Sequence, residues 1–297
     1  MQIGEWKAVA GMTDTYRKAR EMGLERNIAE LEAFGFTVVE PENTGAPAGF
    51  AEKLLDTVKR IAREEDELAV DLNKHDNKPA FGRQLFHLIN KDPLFVDAVM
   101  NPAAQIMGKY LMGASYRLYS MVAFLKDGDA RPTMMHCDST GVPPPLPFYG
   151  NVCNVSWVLT DYTPENGTLC MVPGSHRLCR HPTASELPKF MGGLADDDIC
   201  VPVMAKPGSL AIFHGNTWHG TYPKTSDALR VHVAMAFSRN YVNPAEDFDD
   251  VVDSTVARGG PEFARLLGRT KWQGYRAEGP KLDRMALVRD AHSTPYG

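Results

Sequence analysis

The chain has 297 residues, a formal net charge of −5, and 43% hydrophobic against 23% charged side chains. That balance suits a globular protein with a sizeable buried core, and it argues against a surface built for nucleic acid. No apolar run reaches the roughly 18 residues of a membrane-spanning helix, so neither a nucleic-acid nor a membrane partner is expected. The start, MQIGEWKAVAGM, lacks the basic residues and long apolar stretch of a signal peptide, so the expectation is a cytoplasmic protein. Cys137, Cys153, Cys170, Cys179 and Cys200 are odd in number and form no C-x-x-C pair. They read as scattered reduced thiols rather than a disulfide framework or a zinc knuckle. Neither G-x-G-x-x-G nor G-x-x-x-x-G-K-[ST] occurs, so the commonest nucleotide-binding fingerprints are missing.

Helical spacing of Leu24, Ile28, Leu31 and Phe34 predicts a helix over 13–34, with Gly35 as its stop. Residues 36–40 form a short β-like run ending at Pro41. Leu54, Leu55, Val58 and Ile61 predict an amphipathic helix over 51–70. A third helical stretch covers 93–111, interrupted at Asn101-Pro102. After Gly113 the pattern changes to β-branched and aromatic runs at 116–125, 134–138, 152–160, 169–172, 210–214 and 229–238. The proline-rich stretch 139–150 fits neither helix nor strand. Weak helical patterns return at 262–267 and 281–288. Helices followed by many short strands indicate an α+β chain around an antiparallel sandwich or barrel.

His136-Cys137-Asp138 is the first chemical signal. On an extended chain, residues two apart share a face, so imidazole and carboxylate converge while Cys137 turns away. Two such ligands plus a distant histidine make the 2-His-1-carboxylate face that holds non-haem Fe(II) and leaves positions open. His219, just past an apolar strand and beside a glycine, is the candidate third ligand, with His214 as its rival. Along 229–238, Leu229, Val231, Val233, Met235 and Phe237 share one face; Arg230, His232, Ala234 and Ala236 share the other. An arginine in a half-buried strand needs an anion, either a protein carboxylate or a ligand whose carboxylate its planar fork grips.

The ordered set of H-x-D, ENGTLCMVPGSHR at 165–177, PGSLAIFHG at 207–215, His219 and Arg230 resembles the phytanoyl-CoA dioxygenase family. The resemblance runs from about Leu31 to about Asn243. It implies a double-stranded β-helix, a jelly-roll or cupin-like barrel, with the N-terminal helices packed on one sheet. It also implies one oxygenase domain over 1–297: a helical part at about 13–112, a barrel at about 113–242 and an extension at 243–297. The family's cofactors would be Fe(II), the cosubstrate 2-oxoglutarate, and O₂. His136, Asp138 and His219 would then be the catalytic iron ligands, and Arg230 would bind the cosubstrate's distal carboxylate. Thr221 matches a hydroxyl position that assists it. Trp157 matches an aromatic position lining the cosubstrate pocket, although its pattern equally suits a core residue. Thr133 stands where many small-molecule members place a glutamine. His176 in the Pro-Gly-Ser-His segment reads as structural.

The activity implied is hydroxylation, desaturation or ring formation on a small, largely apolar molecule in secondary metabolism or degradation. Asp138 in place of a small residue argues against halogenation. No basic cluster for a CoA phosphate stands out, which favours a free substrate. Phe148, Tyr149, Met134, His232, Arg83 and Gln84 are candidate substrate-lining residues, and Phe81, Phe86 and Trp272 candidate core residues. A zinc hydrolase using the same ligands and a catalytically silent binding protein are the alternatives.

Overall fold

A computed structural model describes residues 10–67, 82–128, 131–270 and 275–280. Where one helix was predicted over 13–34 there are two, α1 (Ala10–Glu21) and α2 (Glu25–Phe34). The break falls at Gly23, whose φ of 69° lies in the left-handed region and turns the chain out of the helix. Gly35 ends α2 as predicted, its N–H bonding the carbonyl of Leu31. Strand β1 (Phe36–Val39) follows, then α3 (Phe50–Glu67) and β2 (Arg83–Leu85). Helices α4 (Leu88–Lys91), α5 (Leu94–Val99) and α6 (Pro102–Met112) complete the helical part. The predicted break before Pro102 is real: the Asn101 side chain caps α6 by accepting from the Ala104 N–H.

The remaining strands are β3 (Arg117–Lys126), β4 (Val152–Val158), β5 (Leu169–Met171), β6 (Val201–Pro202), β7 (Leu210–His214), β8 (His219–Thr221) and β9 (Arg230–Ser238). Helix α7 (Asp253–Leu266), kinked at Gly260-Pro261, and a hairpin of β10 (Tyr275–Arg276) and β11 (Gly279–Pro280) follow. The helical pattern at 281–288 and the core assignments of Phe81 and Trp272 lie outside the described residues. Residues 134–138 form no regular strand; a single bridge between His136 and His219 is all the pairing they make.

Two antiparallel sheets result, one in the order β1-β7-β4-β9-β3-β2 and one in the order β6-β5-β8. The large sheet buries one face against the helices, where α6 packs on β4, β7 and β9. Val155 and Trp157 from β4 and Val231, Val233, Met235 and Phe237 from β9 belong to this core with Leu54, Phe95 and Met107. The other face looks toward the small sheet, and between them Val158, Leu169, Met171, Ala211 and Phe213 form a second cluster. Strict alternation along β9 therefore sends Arg230, His232 and Ala234 into the space between the sheets. Among the described residues no helix is long and apolar enough to cross a membrane.

Candidate active site

A cavity of about 170 Å³ opens between the sheets. Its polar lining comes from His136, Asp138, Asn154, His219, Thr221, Arg230 and Lys126, and its apolar walls from Phe124, Leu169 and Phe213. His136 and His219 exchange backbone hydrogen bonds at 2.8 Å in both directions, which sets their rings 4.3 Å apart. The approach depends on Gly220, where a Cβ would stand 2.6 Å from the carbonyl oxygen of Thr133. Asp138 follows on the same side, fixed by its N–H on the carbonyl of Gly215 at 2.7 Å. Cys137 turns away and is buried, with Sγ 3.2 Å from His181 Nδ1.

Each imidazole donates Nδ1–H to a backbone carbonyl, that of Met134 at 2.8 Å for His136 and that of Thr217 at 2.9 Å for His219. A carbonyl can only accept, so Nδ1 carries the proton of each neutral ring and Nε2 is the nitrogen turned toward the cavity. Those nitrogens lie 3.5 and 3.6 Å from Asp138 Oδ1. One ligand atom from each of the three residues falls within 4.8 Å of the others. Asn154 Nδ2 donates to the second carboxylate oxygen of Asp138 at 2.6 Å, leaving Oδ1 to face the histidines. Burial alone would raise the Asp138 pKa, but His219, His136 and Asn154 outweigh it and hold the carboxylate below its usual range. Burial pushes His219 down to about 4, so its imidazole is neutral and able to ligate. Burial also disfavours charge on His136, yet the bond and charge of Asp138 raise its pKa above the ordinary histidine value.

Beyond the three ligands the cavity is cationic. Arg230 is 1% exposed, and among the described residues its Nε and Nη1 have no hydrogen-bond partner. Its guanidinium carbon lies 5.2 Å from the centre of the Tyr162 ring. Burial presses its pKa below the usual arginine value. Thr221 lies at the cavity wall, its Oγ1 accepting from the Thr133 N–H at 2.7 Å. His232 lines the cavity with its ring stacked on Phe124 at 4.8 Å.

Several expected residues sit elsewhere. Trp157 does not line the cavity: it shares a β4 face with Val155, packs on Phe50 at 5.1 Å, and donates Nε1–H to the carbonyl of Ala98. Asn154 and Ser156 occupy the opposite, cavity-facing side. His214 accepts the Asn216 N–H on Nδ1 and packs against His176, away from the three ligands. Phe148 and Tyr149 line a different cavity with His176, His214 and Arg239. Arg83, Gln84 and Met134 are not among the residues lining the central cavity, so His232 alone of the suggested substrate-lining set is there. Phe86 is only partly buried. Lys126 and Asn154 were not anticipated.

Two facing antiparallel sheets that hold two histidines, one carboxylate and a buried arginine between them match the layout of a non-haem iron oxygenase site. The phytanoyl-CoA dioxygenase (PhyH) family model matches residues 31–232, and the chain belongs to that family. The dioxygenase af480 of Aspergillus fumigatus is 28% identical over 194 residues, covering 65% of this chain and 60% of its own. A phytanoyl-CoA dioxygenase domain-containing protein of Danio rerio is 33% identical over 150 residues, 47% of this chain and 50% of its own. The chain thus spans half to three-fifths of the length of these relatives. HygX of Streptomyces hygroscopicus, solved with nickel and 2-oxoglutarate, shares the fold at a TM-score of 0.57 and 16% identity, covering 78% of this chain and 93% of its own. The 2-oxoglutarate-dependent epimerase SnoN of nogalamycin biosynthesis does so at 0.55 and 21%, covering 73% and 83%.

Proposed function

We propose that this chain is an Fe(II)- and 2-oxoglutarate-dependent dioxygenase that hydroxylates, desaturates or cyclises a small, largely apolar molecule. The reading places it in secondary metabolism or degradation, in the cytoplasm, as one double-stranded β-helix domain over 1–297. The observation that carries it is the pairing, in one cavity, of the three-ligand set with a buried guanidinium whose Nε and Nη1 lack partners among the described residues.

The donor set fits Fe(II): two imidazole nitrogens and one carboxylate oxygen, with Asn154 keeping the carboxylate turned toward them. Fe(II) with bound 2-oxoglutarate supplies O₂ activation coupled to oxidative decarboxylation of the cosubstrate to succinate and CO₂. The protein's part is orientation and exclusion of water. His136, Asp138 and His219 would hold the metal, and Arg230 would take the distal carboxylate of the cosubstrate on its fork. Thr221 supports the same end, and Thr133 stands beside it. Phe124, Leu169, Phe213 and Ala234 give the cavity apolar walls, which suits a substrate C–H bond. A zinc hydrolase would leave Arg230 without a task.

The reaction is tested by supplying the purified protein with Fe(II), 2-oxoglutarate, O₂ and a panel of small apolar molecules. One succinate should form per product that gains an oxygen atom or loses two hydrogens. Turnover confined to CoA thioesters would refute the free-substrate reading. Substrate conversion with no succinate formed would refute the cosubstrate.

A further inference from the structure

Arg230 is not the only cation in the cavity. Lys126 ends β3 directly opposite Arg230 in the β3–β9 register. It is 4% exposed and lines the same cavity. Its Nζ donates to Thr133 Oγ1 at 3.1 Å. An ammonium carries three N–H donors, and a hydroxyl takes one of them. Among the described residues no carboxylate comes within ion-pair distance of Lys126 or Arg230. Burial, reinforced by the charge of Arg230, pulls the Lys126 pKa down to about 7. Two buried cations on neighbouring strands repel one another and are costly to place in a core without a reason. Aimed into one cavity, they make a site for an anion.

We propose that Lys126 is a second anchor for the distal carboxylate of 2-oxoglutarate, reaching it from β3 while Arg230 reaches it from β9. This rests on the cosubstrate assignment above. A carboxylate has about four acceptor positions, so it accepts the planar fork of Arg230 and a further N–H from Lys126 together. Thr133 is then a positioning residue that acts through Lys126. Its hydroxyl holds Nζ, and its backbone N–H is tied to Thr221 on the facing strand. The three residues become one support for the carboxylate, drawn from β3, β8 and the segment before His136.

The test compares two ligands on the anaerobic Fe(II) protein. One is 2-oxoglutarate; the other is 2-oxobutyrate, which has the same 2-oxo acid head and no distal carboxylate. Binding is read from the visible metal-to-ligand charge-transfer band. Lys126→Met should weaken 2-oxoglutarate by about ten- to hundredfold, the worth of one charged hydrogen bond, and leave 2-oxobutyrate unchanged. Lys126→Arg should recover most of the loss. Should the methionine variant not fold, Lys126→Gln removes the charge while keeping a donor for Thr133 and gives the same comparison. Unchanged 2-oxoglutarate affinity, or an equal loss for both ligands, would overturn the proposal and make Lys126 a structural residue. Absence of the band in the unaltered protein would overturn the cosubstrate assignment and this proposal together.

Discussion

Replacing Arg230 with methionine should move affinity and stability in opposite directions. The guanidinium is 1% exposed, two of its nitrogens lack partners among the described residues, and Lys126 stands across from it in the sheet register. Each unsatisfied buried donor costs about 1–3 kcal/mol, more when charged. An apolar side chain of similar length should therefore stabilise the ligand-free protein by about 1–3 kcal/mol, a melting-temperature rise of a few degrees. Cosubstrate binding should suffer: two charge-assisted hydrogen bonds are worth about 3–4 kcal/mol together, a loss of about 10²- to 10³-fold. Thermal unfolding with and without 2-oxoglutarate measures both effects. The unaltered protein should gain about 2.7 kcal/mol at a ligand concentration of about a hundred times Kd, and the variant almost nothing at the same concentration. A variant that is less stable yet keeps its 2-oxoglutarate affinity would show that Arg230 is a structural residue.

Three other outcomes follow from the same geometry. His219→Ala should abolish Fe(II) binding while His214→Ala retains it, as metal analysis after desalting would show; the reverse would mean that the wrong histidine was assigned. Trp157→Ala should destabilise the protein by about 3–5 kcal/mol as a large core truncation, while the folded fraction keeps its 2-oxoglutarate affinity within about threefold. A large affinity loss would return Trp157 to the pocket. Burial, with His176 and Arg239 nearby, pushes His214 down to about 3 from 6.5. Between those values the unfolded chain binds more protons, so stability rises with pH, by at most about 1.4 kcal/mol per unit from this residue. His214→Asn should flatten that part of the stability profile, and an unchanged slope in denaturant titrations would refute the assignment.

The site was legible where sequence spacing and backbone geometry coincide. Residues two apart on an extended segment share a face, so His136 and Asp138 converge even though a single bridge at His136 stands in for a full strand. Alternation along β9 also assigned Arg230 and His232 to one side and Val231 and Val233 to the other. The same rule applied to Val-Cys-Asn-Val-Ser-Trp would have placed Trp157 with Cys153 and Val155 in the core and revealed Asn154 as the residue steadying Asp138. Resemblance to a family position outweighed the local pattern there. Lys126 was missed because a lysine at a strand end looks solvent-facing; its burial depends on β9 and on Thr133, neither of which spacing along β3 reveals. The break at Gly23 was hidden because the apolar spacing from Leu24 to Phe34 says nothing of where the helix begins, while the backbone conformation of a single glycine decides the turn.

In the proposed function His136, Asp138 and His219 would hold Fe(II) in a cavity where Arg230 receives 2-oxoglutarate. The most direct measurement is anaerobic addition of Fe(II) and then 2-oxoglutarate to the metal-free protein, followed by visible absorption. A charge-transfer band should develop to one equivalent of iron, require both components, and be lost in Asp138→Ala. Tight retention of zinc with no band on adding Fe(II) and 2-oxoglutarate would contradict the oxygenase assignment and favour hydrolysis by the same three ligands.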